Sequence, residues 1–256
     1  MRKLFSLFFS CFLLLNFSCS SINDELLENE NDEIILNDTG SDTNDDNQDT
    51  NTEEPEILKI LSLGDSYTIG QSVCEECRFP AQLKDSLYHK FDSDTTFTLK
   101  IIARTGWTTT NLINAIEDEN IADDYNLVTL LIGVNNQYQK KSFSIYETEF
   151  PQLVETSIKA ANGDKNKVIV VSIPDYAFTP FGGGNTSVSK EIDEYNLFAK
   201  NYCLQNEITY VNITDITRQG IVNKALVASD GLHPSELAYT KFVERLLPFA
   251  GEKIKK

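Results

Sequence analysis

The chain has 256 residues, 41% hydrophobic and 24% charged, and a formal net charge of −17. Fourteen of its 39 acidic residues lie in 20–56, while 57–256 carries 25 acidic and 20 basic residues, net −5. That leaves no basic stripe for nucleic acid, and a segment of about 200 residues suffices for one well-buried core.

Residues 1–18 start with Arg2 and Lys3 and continue in an apolar stretch from Leu4 to Phe17. This is the pattern of a secretory signal peptide, too short to span a bilayer comfortably. Residues 19–56 hold no Lys or Arg and are rich in Asp, Glu, Asn and Thr. Such a segment repels itself and buries too little apolar surface to become ordered, so an acidic tether is expected. The stretch "LNFSC", ending at Cys19, resembles a bacterial lipoprotein cleavage box, although Asn16 stands where an aliphatic residue is usual and Phe17 is bulky. The resemblance implies a lipid on Cys19 and a membrane-anchored protein of the bacterial cell envelope, at the outer membrane or the cell surface. Ordinary signal-peptidase cleavage, leaving an unmodified chain, is the alternative. The acidic residues just after Cys19 are similar to the export signals of bacterial surface lipoproteins.

From residue 57 onward, short apolar runs alternate with helical spacing. Residues 57–63 read as a strand buried on both faces. Phe79, Leu83 and Leu87, with Phe91 one turn on, give a helix over 79–91. A strand at 96–104 precedes a helix at 106–118 with a threonine cap available. The most apolar strand is 125–133. A helix over 143–162 follows, which Pro151 is expected to interrupt near its start. Then come a strand at 166–175, a glycine-containing loop, a helix at 188–206, a strand at 208–214 and a last helix at 235–250. Five strands alternating with helices predict a parallel sheet covered on both faces, with right-handed crossovers.

Chemistry-bearing residues gather at the strand ends, where open α/β sheets place their sites. The first strand ends in Gly64-Asp65-Ser66. Ser66 is either an ordinary helix-capping serine or a nucleophile. Asp65 suits a turn-tying hydrogen bond to nearby backbone. The second strand ends near Gly106, whose N–H is sterically unobstructed. The third ends in Gly133 followed by Asn135, whose amide is a suitable donor to a developing oxyanion. Near the C-terminus, "ASDGLHPS" sets Asp230 three residues before His233. His233 could take the serine proton, and Asp230 could fix its tautomer. The other histidine, His89, lies among polar neighbours and reads as solvent-exposed.

Together "GDSYTIG", "ARTGWTT", "GVNNQY" and "DGLHPS" resemble the four blocks of the SGNH (GDSL) hydrolases. The resemblance spans nearly all of 57–256. It implies a flavodoxin-like three-layer α/β/α fold with a five-stranded parallel sheet in the order 2-1-3-4-5, and no metal or organic cofactor. It also implies a serine esterase with Ser66 as nucleophile, His233 as base and Asp230 as its partner. Ser66, Gly106 and Asn135 would form the oxyanion hole. The third block departs from the family's usual Gly-x-Asn-Asp, since Asn136 replaces the aspartate that normally holds the loop. The substrate class left open is an acyl or acetyl ester of a carbohydrate or lipid. A lysophospholipase or thioesterase of the same mechanism, or a non-catalytic surface module on the same fold, are the alternatives.

Two further features remain. The loop "IPDYAFTPFGGGNTS" carries Tyr176, Phe178 and Phe181 before three glycines. Its aromatics either cover the domain's own core or form a mobile flap lining the substrate pocket. Of five cysteines, Cys11 leaves with the signal peptide. Cys74 and Cys77 read as a local disulfide or as plain thiols, because zinc needs two more ligands at suitable spacing.

Overall fold

The computed structural model describes residues 56–91 and 95–254. The expected signal peptide, Cys19 and the tether up to residue 55 lie outside the described residues. Strands β1 (Glu56–Gly64), β2 (Thr95–Ala103), β3 (Leu127–Leu131), β4 (Val168–Val171) and β5 (Thr209–Val211) form one sheet. All pairings are parallel, and the order is β2-β1-β3-β4-β5, as expected. Every residue of β3 and β4 is buried, which is why these runs are almost wholly apolar rather than alternating. Even the polar pair in the middle is matched: Thr129 Oγ1 donates to Ser62 Oγ across the β1–β3 register at 2.9 Å.

The helices are α1 (Ser66–Ile69), α2 (Phe79–Tyr88), α3 (Thr109–Glu119), α4 (Val134–Tyr138), α5 (Phe143–Ala160), α6 (Thr186–Gln205), α7 (Thr214–Thr217) and α8 (Glu236–Lys253). α2 packs against α8 on one face of the sheet, and α3, α5 and α6 pack together on the other. Thr108 and Asn111 form a reciprocal capping box at the start of α3. Ser235 accepts from the Ala238 N–H and starts α8 directly after His233. Among the described residues, no helix is long and apolar enough to cross a membrane.

Two expectations need correction. Pro151 does not interrupt α5, which runs unbroken from Phe143 to Ala160. A proline removes the bond to the carbonyl four residues back, and that residue, Glu147, is exposed. Water can therefore satisfy the freed carbonyl. α8 passes Pro248 for the same reason, with Glu244 exposed. The second correction is to β4 and β5, which stop at Val171 and Val211 rather than at 175 and 214. The N–H groups of Ile213 and Thr214 turn away to Ser172 Oγ, at 2.8 and 3.2 Å.

β1 must end in a glycine for steric reasons. A Cβ at Gly64 would lie 2.1 Å from Thr68 Oγ1 and 2.4 Å from the Leu131 carbonyl oxygen. The second contact is backbone and cannot rotate away. Gly64→Ala is therefore expected to destabilise the protein by about 3 kcal/mol, the upper range of overpacking. Denaturant unfolding of parent and variant measures this, and equal midpoints would contradict the close approach.

Candidate active site

Asp65 caps α1 through Oδ1, which accepts the Tyr67 N–H at 3.0 Å, so Ser66 begins the helix on a fixed turn. Asp65 was expected to tie this turn, and it does. Its second oxygen, Oδ2, accepts from Asn135 Nδ2 at 3.4 Å. Asp65 is fully buried. Burial pushes its carboxyl up to about 7, against the lowering effect of the Tyr67 N–H and the Asn135 amide.

Asn135 lies in α4, directly beyond β3. Gly133 permits this entry with φ +129, and a Cβ there would meet the Tyr146 ring at 2.6 Å. Asn135 spends one amide hydrogen on Asp65 and has a second for the cavity. The neighbouring Asn136 is wholly buried. Its Oδ1 accepts the Thr109 N–H at 3.0 Å and its Nδ2 donates to Thr109 Oγ1 at 2.7 Å. The Thr109 hydroxyl in turn donates to Glu149. Asn136 thus holds the loop to the start of α3, the task its replacement of aspartate had put in question. The amide suits the site because a carboxylate here would face a hydroxyl whose proton is already committed to Glu149.

Gly106, beyond β2, has φ +84 and borders the same cavity. Its carbonyl accepts from Gln139 Nε2 at 2.8 Å, which ties its peptide to the end of α4. Thr105 Oγ1 donates to Gln71 Oε1 at 2.6 Å, joining this loop to the one after α1.

The fourth element is the loop before α8. His233 Nδ1 and Asp230 Oδ2 are 2.6 Å apart. Asp230 Oδ1 accepts the N–H groups of Leu232 and His233 at 2.9 and 3.0 Å, and Ser72 Oγ donates to Oδ2 at 2.7 Å. Burial would raise the Asp230 carboxyl. The hydrogen bonds from Ser72, His233 and the two backbone N–H groups outweigh it and hold the carboxyl well below the usual carboxylate range. The His233 ring packs at 5.0 Å from that of Tyr67.

Ser66, Gly106, Asn135 and His233 all border one cavity of about 220 Å³. Among the described residues no hydrogen bond joins Ser66 Oγ to His233, a contact that often tightens only when substrate binds. Of the three loop aromatics, Tyr176 and Phe181 line the cavity and Phe178 does not. Gly182 is confined by its surroundings, since a Cβ would lie 2.0 Å from the Tyr176 carbonyl oxygen. Sequence reasoning missed Tyr138, whose ring completes a cluster with Tyr176 and Phe181 at 5.8 and 6.2 Å. Sequence reasoning had no helical period to find it by, since α4 spans only five residues. It also missed Ser72, for which no local signal exists. Among the described residues, no cluster of His, Cys, Asp or Glu is arranged to hold a metal ion.

The raised Asp65 carboxyl has a testable sign. The folded state keeps this proton up to about pH 7, whereas an ordinary carboxyl loses it near 3.8. Between those values the folded state binds the extra proton, so this group's contribution to stability falls as pH rises from about 4 to 7. Unfolding Asp65→Asn beside the parent at pH 4.5 and 7.5 measures it. The parent is expected to lose ground to the variant at the higher pH, and a pH-independent difference would contradict the assignment.

The GDSL-like Lipase/Acylhydrolase family model matches residues 62–241. No curated protein matches the sequence. Among solved structures, an acetyl xylan esterase from Geobacillus stearothermophilus aligns with TM-score 0.59 and 18% identity, over 76% of this chain and 94% of that one. A lipase/acylhydrolase from Enterococcus faecalis aligns with TM-score 0.58 and 18% identity, over 76% and 96%. A lipolytic G-D-S-L protein from Veillonella parvula aligns with TM-score 0.57 and 17% identity, over 75% and 97%. At these identities the structures speak for the fold alone. The family match covers most of the chain and holds all four sequence blocks, and the chain therefore belongs to the GDSL-like lipase/acylhydrolase family of hydrolases.

Proposed function

We propose that this chain is a serine esterase that works through an acyl-enzyme, with Ser66 as nucleophile, His233 as base and Asp230 as its partner. The observation that carries the reading is the meeting of Ser66, Gly106, Asn135 and His233 at one cavity, with Asp230 on the far nitrogen of the imidazole. Ser66 Oγ attacks the ester carbonyl carbon while His233 Nε2 takes its proton. The carbonyl oxygen becomes an oxyanion, received by the N–H groups of Ser66 and Gly106 and by the Asn135 amide. Collapse expels the alcohol, which takes the proton back from His233. Water, deprotonated by His233, then attacks the acyl carbon and releases Ser66 and the acid. Asp230, kept ionised by four donors, stabilises the imidazolium in both halves.

The cavity argues for a small acyl group. It is smaller than the roughly 300–1,000 Å³ typical of drug-sized sites, and Tyr138, Tyr176 and Phe181 wall it with rings. Such a wall suits an apolar acyl chain or the face of a sugar. Acetyl or another short acyl on a carbohydrate or lipid is the substrate class proposed. A longer-chain lysophospholipase or thioesterase would share the mechanism. Anchoring through a lipid on Cys19 belongs to the same proposal and would hold the enzyme at the envelope surface.

Ser66→Ala is expected to abolish both turnover of p-nitrophenyl acetate and labelling by a fluorophosphonate, while melting stays parental. Parental turnover in that variant would remove Ser66 from the chemistry. Asn135→Ala is expected to lower kcat by about 10²–10³ with little change in KM. A rise in KM at unchanged kcat would instead make Asn135 a ground-state binding group.

A further inference from the structure

The loop between α1 and α2 delivers a side chain to the site from a part of the sequence that the family blocks do not include. Ser72 lies 158 residues from Asp230 and donates to its Oδ2 at 2.7 Å. We propose that Ser72 is a positioning residue for the His233–Asp230 pair, and that the Cys74–Cys77 disulfide braces the turn that presents it. The proposal rests on the esterase reading above.

Three observations carry it. The first is the backbone. Ser72 has φ +70, a left-handed conformation that favours glycine. Backbone geometry alone would be better served by glycine, so what serine adds at this position is its hydroxyl.

The second is the division of labour on the Asp230 carboxylate. The backbone N–H groups of Leu232 and His233 pin Oδ1. They belong to Asp230's own loop and leave the carboxylate free to twist about the pinned oxygen. Oδ2 meets the imidazole, and Ser72 holds that oxygen from a different loop. Fixing both oxygens fixes the plane in which His233 is held. The segment carrying Ser72 also supplies Tyr67, which packs on the His233 ring.

The third is the disulfide, which joins residues only three apart. A loop so short removes little entropy from the unfolded chain. Its effect is therefore local, on the turn two residues beyond Ser72. That turn is anchored on both sides: Gln82 Nε2 of α2 donates to the Cys77 carbonyl at 2.5 Å, and Arg78 Nη1 donates to the Ile69 carbonyl at the end of α1 at 3.4 Å. Ser72 is itself exposed, so water competes for Asp230 and a brace has something to hold against. Cys74 is exposed as well, which makes the bond accessible to a soluble dithiol.

The experiment separates positioning from stability. Ser72→Gly keeps the left-handed backbone and removes only the hydroxyl. Its melting temperature is expected to equal or exceed the parent's, KM for p-nitrophenyl acetate to stay unchanged, and kcat to fall about three- to tenfold. Ser72→Asn, which tolerates this conformation and carries an amide donor, is expected to recover part of the loss. Dithiothreitol gives two electrons and two protons to the disulfide, forming two thiols, and itself closes to a cyclic disulfide. It should lower kcat of the parent toward that of Ser72→Gly and leave Ser72→Gly unchanged. A Cys74→Ser/Cys77→Ser double variant should reproduce the effect without reductant. Parental kcat in Ser72→Gly, a change confined to KM, or a matching loss of melting temperature would overturn the positioning role. Insensitivity of the parent to dithiothreitol, or an equal fall in both proteins, would overturn the brace. If the parent neither turns over ester nor takes the fluorophosphonate label, the esterase reading fails and this inference falls with it.

Discussion

The parallel register of β1 sets the geometry on which the site depends. Gly64, its last residue, pairs with Ala103 of β2 on one side and Leu131 of β3 on the other. Three strands therefore stop on one line at one edge of the sheet. Ser66, Gly106 and Asn135 lie two, three and four residues past that line. Parallel strands leave the sheet in the same direction, so a few residues of overrun are enough to bring three loops around one cavity. An antiparallel sheet of the same strands would have sent the middle one to the opposite edge.

Much of this was legible because burial on both faces leaves a clear imprint. β4 is an unbroken apolar run and β3 is broken only by Thr129. Gly64 was legible too, since it sits between an apolar run and Asp65. Other features left no trace at this resolution of reading. α1 and α4 span four and five residues, too few to establish a helical period. Pro151 looked like a break because sequence does not say which way the carbonyl four residues earlier faces. Phe178 differs from Phe181 only in where a tightly hydrogen-bonded loop directs it, and spacing carries no information on that.

Asn136 shows how a departure from a family pattern is absorbed. A buried polar group at this position needs partners for everything it presents. The amide presents a donor and an acceptor, and Thr109 supplies the complement of both. Glu149 completes the chain by accepting the Thr109 proton and also that of Thr110, at 2.8 Å. Reading position 136 alone raises doubt about the loop. Reading it with Glu149, which is distant in sequence, removes that doubt.

One segment is coupled to each of the other loops of the site. Asp65 holds the start of α1 with one oxygen and the Asn135 amide with the other, so the candidate nucleophile and the proposed oxyanion donor share one carboxyl group. Gln71 holds the Gly106 loop through Thr105, and Ser72 holds Asp230. Residues 64–78 thus touch each of the other three loops. The aromatic wall is only partly outside this network, because its Tyr138 lies in α4 with Asn135. Tyr176 and Phe181 belong to the loop beyond β4, which reaches the histidine loop through the Phe181 N–H and the Gly231 carbonyl, 3.0 Å apart. Its tie to α4 is the Tyr176 hydroxyl, which donates to Gln137 Oε1 at 2.8 Å. Ring size and exposure at 176 and 181 can therefore change without breaking a bond that sets Ser66, Asn135 or Asp230. In this molecule the groups proposed for chemistry and the surface proposed for substrate choice meet on α4, which carries both Asn135 and Tyr138.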